Sequence, residues 1–288
     1  MRIDAPPTLR SPILIAAFHG WNDGGSAATL AASFLRASFD AVPFATIDPE
    51  EYVDFQQIRP RVSLKDGVTR EISWPDTEFF HAALPGTNRD VVICIGVEPN
   101  LRWKAFTGEI ATLAQSLGVE LALTLGGLLA DTPHTRPVPV TGAAADAELA
   151  ERLGLRRSRY EGPTGIVGVL HDTLAREGIP SASLWAAVPH YIASNAPNPA
   201  AALALVRFLE PILETSLDPA ELETASVAFN RQIAEVVEGD DETAAYVREL
   251  EQRDPDEDDD AEHQMPTGDE LAEELQRFLR DHRQDPPE

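Results

Sequence analysis

Five short polar segments hold the residues of this chain that could do chemistry. The first is His19-Gly20-Trp21-Asn22-Asp23-Gly24-Gly25, directly after an apolar run. Its Asn22-Asp23-Gly24-Gly25-Ser26 stretch could cradle an anion, because glycines let backbone approach and N–H groups at a helix start attract negative charge. The same residues could simply turn the chain from strand to helix. A helix terminus supplies roughly 0.3–1 kcal/mol, whereas a millionfold rate enhancement needs about 8 kcal/mol. This loop alone therefore does not imply an enzyme.

The second segment is Gly96-Val97-Glu98-Pro99-Asn100, with Trp103 close behind. A carboxylate and an indole there could read a base or a sugar, or could cap and pack a helix. The third, Gly126-Gly127 through Asp131, His134 and Arg136, puts an acid, an imidazole and a guanidinium in one loop. That set suits proton transfer or phosphate binding, and equally an ordinary polar surface. The fourth, Gly162-Pro163-Thr164-Gly165, opens a helix and could admit a ligand or a neighbouring helix. The fifth, Pro189-His190-Tyr191, ends a strand with a candidate general base or a structural histidine. His19, His134 and His190 lack metal-site spacing such as H-x-x-x-H, so a metal is not expected. No G-x-S-x-G elbow is present, and Cys94 sits inside an apolar strand, so nucleophilic catalysis has no motif. No catalytic residue and no cofactor is assigned.

These segments need elements to position them. Pro12 to Phe18 is a continuous apolar run broken by Gly and Asx residues, the pattern of a buried strand in an α/β sheet. The loop that follows lies at the strand's carboxyl end, where open α/β folds place ligands. Ser26–Arg36 has an apolar helical face. Phe44–Ile47 is expected as a strand. Val62–Lys65 and Val68–Ser73 flank Asp66-Gly67, a type I′ hairpin turn. Val91–Val97 is a strand, Lys104–Leu117 a helix closed by Gly118, and Val119–Leu125 a strand that Gly126-Gly127 is expected to break. Asp146–Leu153 and Thr164–Glu177 are helices, and Ala182–Val188 is the last strand. Asn198-Pro199 starts a helix to about Glu214. Strand and helix alternate throughout this body, so the expected architecture is a three-layer α/β/α fold with a mostly parallel or mixed sheet.

The C-terminal region differs. Helices are expected from Asp218 to Glu238 and from Glu242 to Arg253. Pro255–Gly268 is acidic and almost without apolar residues, too poor in burial to offset the entropy of ordering. A last helix is expected over Asp269–Asp281, with a narrow stripe at Leu271, Leu275, Phe278 and Leu279. The expected divisions are a core over 10–215, a helical appendage over 216–253, and an acidic linker with a terminal helix over 254–288.

Of 288 residues, 48 are acidic and 23 are Lys or Arg, for a net charge of −25. Residues 214–288 hold 25 acids and 6 bases, so the tail carries −19 of it. Such charge disfavours nucleic acid and anionic membrane as partners. With one cysteine no intrachain disulfide forms, which fits a reducing compartment. The N-terminus lacks a basic-flanked apolar run and no stretch has the length of a membrane span. A cytoplasmic location is expected.

The segments Phe18–Gly25, the Gly126-Gly127 loop, Gly162-Pro163-Thr164-Gly165-Ile166 and Pro189-His190-Tyr191 occur in an order that resembles the proteasome assembly chaperone family, in its bacterial branch, over roughly residues 10–215. The resemblance implies an α/β/α fold similar to purine nucleoside phosphorylases. It also implies a non-catalytic role through a protein partner, proteasome subunits or a related assembly, by a chain that is a homo-oligomer. The fold analogy leaves a second function open, an enzyme or binder of nucleoside-like or phosphorylated small molecules. That reading requires Asp23, Glu98, Asp131, His134 and His190 to face one pocket.

Overall fold

The computed structural model describes residues 1–144, 146–157, 162–192 and 196–253; the expected linker and terminal helix lie outside the described residues. Nine strands, numbered along the chain, form one mixed sheet. Its order is β1 (Arg2–Ile3), β3 (Val42–Ile47), β6 (Thr77–Ala83), β7 (Asp90–Val97), β2 (Ile13–His19), β8 (Leu121–Ala130), β11 (Ser181–Pro189), β9 (Val140–Ala144) and β10 (Arg156–Arg157). The central strands β7, β2, β8 and β11 run parallel; on one side β6 is antiparallel to β7 and β3 antiparallel to β6, and on the other β9 is antiparallel to β11.

The period of two in β2 builds both cores. Ile13, Ile15 and Ala17 point to one face, where α1 (Ala27–Ser38) and α5 (Pro199–Leu213) pack. Leu14, Ala16 and Phe18 point to the other, against α2 (Trp103–Ser116) and α4 (Ile166–Arg176). Helices on both faces explain why β2 reads as an unbroken apolar run. The short α3 (Ala147–Leu153) is capped by the Asp146 carboxylate and ends at Gly154.

Besides the two-residue strands β1 and β10, three elements depart from the sequence expectation. β6 was not anticipated, because Phe79 and Phe80 are adjacent and blur the alternation, yet it is a buried strand between β3 and β7. β9 follows a Pro-rich stretch that hides it. β8 continues through Gly126-Gly127 to Ala130 instead of breaking there. A Cβ on Gly126 would lie 2.2 Å from the Trp185 ring of β11, so this glycine makes a slot for an indole rather than a turn.

The β3–β6 connection carries a separate two-stranded hairpin, β4 (Arg61–Lys65) and β5 (Thr69–Ser73), every residue of which is exposed. Beyond α5, α6 (Ala220–Glu238) packs along it and leads to α7 (Asp241–Gln252). No helix among the described residues is long and apolar enough to cross a membrane.

Candidate functional site

The loops at the carboxyl edge of the sheet bring most of the polar candidates together, but in two groups. The first centres on Glu98, just past β7. Its backbone N–H donates to the His19 carbonyl at 2.7 Å, fastening the β7 exit to the β2 exit. Its Oε1 accepts from Asn22 Nδ2 at 2.9 Å and from the Ile166 N–H at 2.8 Å, and its Oε2 accepts from the Trp21 N–H at 3.2 Å. Ile166 is the first residue of α4, so Glu98 caps a helix that starts 68 residues later. A carboxylate suits that end of a helix, where free N–H groups carry partial positive charge. Gly165 permits the approach: a Cβ there would lie 2.5 Å from Asn22 Oδ1 and 2.8 Å from Glu98 Oε1. Thr164 and Gly162 are exposed beside this junction. Trp103 is half-buried, and its indole N–H donates to the Pro99 carbonyl.

Asp23 does for α1 what Glu98 does for α4. Its Oδ1 accepts from the Ala28 N–H at 2.8 Å, its Oδ2 accepts from the Thr29 hydroxyl at 2.5 Å, and His19 Nδ1 lies 3.2 Å from the same carboxylate. The place where a bound anion would sit is thus taken by the chain's own carboxylate. The rest of the loop is tied down as well. The Gly127 N–H donates to the Asn22 carbonyl at 2.9 Å, and the Asn198 N–H donates to the Gly25 carbonyl at 2.7 Å. Gly25 and Ser26 both take positive φ, which turns the chain into α1.

The second group holds the C-terminal helix. Asp131 pairs with His190 Nδ1 at 3.0 Å and approaches Arg253 at 3.7 Å. The Tyr246 ring of α7 meets His190 edge-on at 5.4 Å, and burial plus the Asp131 carboxylate push its phenol up. Arg136 donates to the carbonyls of Glu251 and Arg253, capping the end of α7, and the Thr135 hydroxyl donates to Glu251 at 2.6 Å. A guanidinium suits that negative helix end. Behind this latch, Tyr191 Oη accepts from the His134 N–H at 2.7 Å and lies 2.8 Å from His134 Nδ1. Burial pushes the Tyr191 phenol up to about 12 and lowers His134, so both stay neutral near pH 7. The cavity beside His134, between Pro189, Asn198 and Phe229, has a volume of about 10 Å³. That is room for one water and far below a nucleoside pocket. It touches none of Asp23, Glu98, Asp131 or His190.

Beside the partly exposed His19, Asp131 and His190, the edge offers large apolar side chains to solvent. Trp21 is 72% exposed, Leu101 55%, and Leu128 and Leu129 46% each. Trp21 sits beside Glu98 through its backbone, Leu101 is held by the Tyr52 carbonyl, and the two leucines end β8 next to the Asp23–Gly127 bridge.

The profile of the PAC2 family matches residues 17–237. The chain belongs to the PAC2 family. Among solved structures, a PAC2 family protein from Streptomyces avermitilis is 44% identical, with a TM-score of 0.76, over 82% of this chain and 99% of that one. A proteasome-assembly chaperone homologue from Mycobacterium tuberculosis is 48% identical, with a TM-score of 0.74 and the same coverages. PbaB, an archaeal proteasome activator from Pyrococcus furiosus, shares the fold at 19% identity and a TM-score of 0.67, over 82% of this chain and 97% of that one. No curated protein matches the sequence.

Sequence reasoning missed several residues that shape this PAC2 edge. Tyr246 and Arg253 meet Asp131 only through a fold that spans more than a hundred residues. Leu128 and Leu129 were hidden by the assumption that the strand ended at Leu125. Two leucines placed after a Gly-Gly pair and before a polar loop are the signal that was available.

Proposed function

We propose that this PAC2 protein is a non-catalytic, chaperone-like assembly factor that works through protein–protein contact at the carboxyl edge of its sheet. One observation carries the reading. The carboxylates of Asp23 and Glu98 are spent on the starts of α1 and α4, while Trp21, Leu101, Leu128 and Leu129 remain open to solvent. Large apolar side chains left exposed at one edge of a folded protein mark a candidate partner site. The small-molecule alternative has less to stand on, because Asp23 and Glu98 are engaged as helix caps and do not line the His134 cavity.

The partner proposed is an unassembled proteasome subunit or a related ring component. The support is the likeness to the mycobacterial proteasome-assembly chaperone homologue. In this reading the protein acts in the cytoplasm and as a homo-oligomer, the latter measurable by sedimentation velocity. The test mixes purified protein with unassembled proteasome α- and β-subunits and follows ring formation on native gels. Faster assembly and a blue shift of Trp21 emission are expected, with both effects reduced in Trp21→Ala. Unchanged assembly kinetics and no co-migration with any subunit would sink the proposal.

A further inference from the structure

The hairpin β4–β5 carries an exposed apolar face. Val62 pairs with Ile72 and Leu64 with Arg70, so these four share one face, since side chains alternate along a strand. Val62 is 62% exposed, Leu64 61% and Ile72 56%. A lone two-stranded hairpin is marginal in water and needs a helix or a third strand across its apolar face. Its base is pinned where Trp74 meets Phe55, ring centroids 5.0 Å apart; the strands themselves have nothing over them among the described residues.

Charge says what covers it. In a chain of net −25, residues 59–74 carry four bases and two acids. Among the described residues no ion pair involves Arg59, Arg61, Lys65 or Arg70; Arg70 lies on the apolar face itself, and Arg61 and Lys65 lie on the opposite face of the same hairpin. The complement is an acidic amphipathic segment, and this chain carries one. Residues 254–288 hold fourteen acids and three bases. Within them Leu271, Leu275, Phe278 and Leu279 recur at helical spacing beside Glu270, Glu273 and Glu274. That stripe is too short to make a stable helix alone. The hairpin and the segment each lack the surface that the other has.

The distance is short enough. β6 starts at the carboxyl edge of the sheet, because Glu78 pairs with Ile95 near the end of β7. The hairpin that precedes it therefore springs from the same edge as the 131–136 loop, where Arg253 is anchored. β6 and β8 are three strand steps apart in the sheet, or about 15 Å. The 15 residues from 254 to 268 can span up to about 50 Å. We infer that the acidic segment 269–281 seats, through Leu271, Leu275, Phe278 and Leu279, on the Val62–Leu64–Ile72 face of its own chain's hairpin, with Arg70 of that face against the segment's carboxylates.

The inference does not depend on the proteasome reading and is tested without any partner. Full-length protein carries Phe278→Cys with either Leu64→Cys, on the apolar face, or Ser63→Cys, on the opposite face. Cys94 is buried and its thiol is pushed up, so it does not compete. Disulfide formation under oxidised glutathione is followed on non-reducing gels. The expected result is a monomeric disulfide that forms at least about tenfold faster from Leu64→Cys than from Ser63→Cys, as a seated segment raises local concentration on one face only. Adding Arg70→Glu slows the Leu64→Cys reaction several-fold. Equal rates from the two faces, or an Arg70→Glu rate that does not change, overturn the inference. So does a disulfide found only in covalent dimers whose yield rises with protein concentration, which would assign the face to a second copy's tail.

Discussion

His171 gives this protein a pH-dependent stability that can be worked out in advance. The side chain stands on α4 between two hydroxyls: Nε2 is 2.9 Å from Thr124 Oγ1 on β8, and Nδ1 is 2.7 Å from Ser181 Oγ on β11. Hydroxyls can serve a neutral imidazole on both sides, and no carboxylate is present to reward a second proton. Burial holds the imidazole down to about 4, whereas in the unfolded chain it titrates near 6.5. The folded state thus binds fewer protons than the unfolded state between these values. Stability is full above about pH 6.5, falls as the pH drops through that window, and stops falling below about pH 4. At pH 5 the unfolded imidazole is almost wholly protonated and the folded one almost wholly neutral. The difference amounts to a loss of about 2 kcal/mol relative to pH 7.5.

The assay is urea unfolding followed by far-UV circular dichroism at several pH values from 7.5 to 5.0, for the wild type and His171→Gln. Glutamine can still bond a hydroxyl but does not titrate. The variant loses about 1 kcal/mol at pH 7.5 through poorer hydrogen bonding. Its decline toward pH 5 is shallower by about 2 kcal/mol. His134, which burial also lowers, contributes to the slope of both proteins and cancels in the comparison. Parallel declines for the two proteins, or an NMR titration placing the His171 ring near 6.5, would refute the reasoning.

Three further outcomes follow from the edge geometry. Glu98→Ala strips acceptors from the Ile166 N–H and from Asn22, which lowers stability by about 2–4 kcal/mol in urea titrations, with Glu98→Gln intermediate; a loss below half a kilocalorie would mean that the interlock does not matter. Gly165→Ala forces a methyl against Asn22 Oδ1 and Glu98 Oε1 and costs about 1–3 kcal/mol, measured the same way and only partly relieved when Glu98 is already Ala, because the Asn22 amide is the nearer group. Arg136→Ala uncaps α7, so amide exchange over 241–252 speeds up several-fold while the central strands stay protected; unchanged exchange in α7 would show that Tyr246 and Val247 hold the helix without the guanidinium.

The layers of this fold were legible in the sequence because β2, β7 and β8 are covered on both faces, and such strands leave long apolar runs. The cap at Asn198-Pro199 and the Asp146…Gly154 helix were legible for a local reason: each signal lies within one turn of what it starts or stops. The misreading of β8 has a long-range physical source. Glycine was treated as punctuation, but Gly126 sits inside a strand and its missing side chain is the space that Trp185 fills. Nothing within ten residues of Gly126 says so, since Trp185 lies 59 positions away.

The candidate site shows the same division more sharply. Residue types pointed to Asp23, Glu98, Asp131, His134 and His190 as one set, and the structure divides them between two groups at the carboxyl edge. Residue types could not say whether these side chains are free. A carboxylate after a strand reads alike whether it awaits a ligand or caps a distant helix, and only the partner 68 residues on distinguishes Glu98's case. Once Asp23 and Glu98 are assigned to α1 and α4, the edge retains hydrogen-bonding capacity mainly for its own scaffold. Its open surface then includes, beside His19, Asp131 and His190, the indole of Trp21 and the leucines at 101, 128 and 129, which gain far more from meeting another protein than from meeting a phosphate.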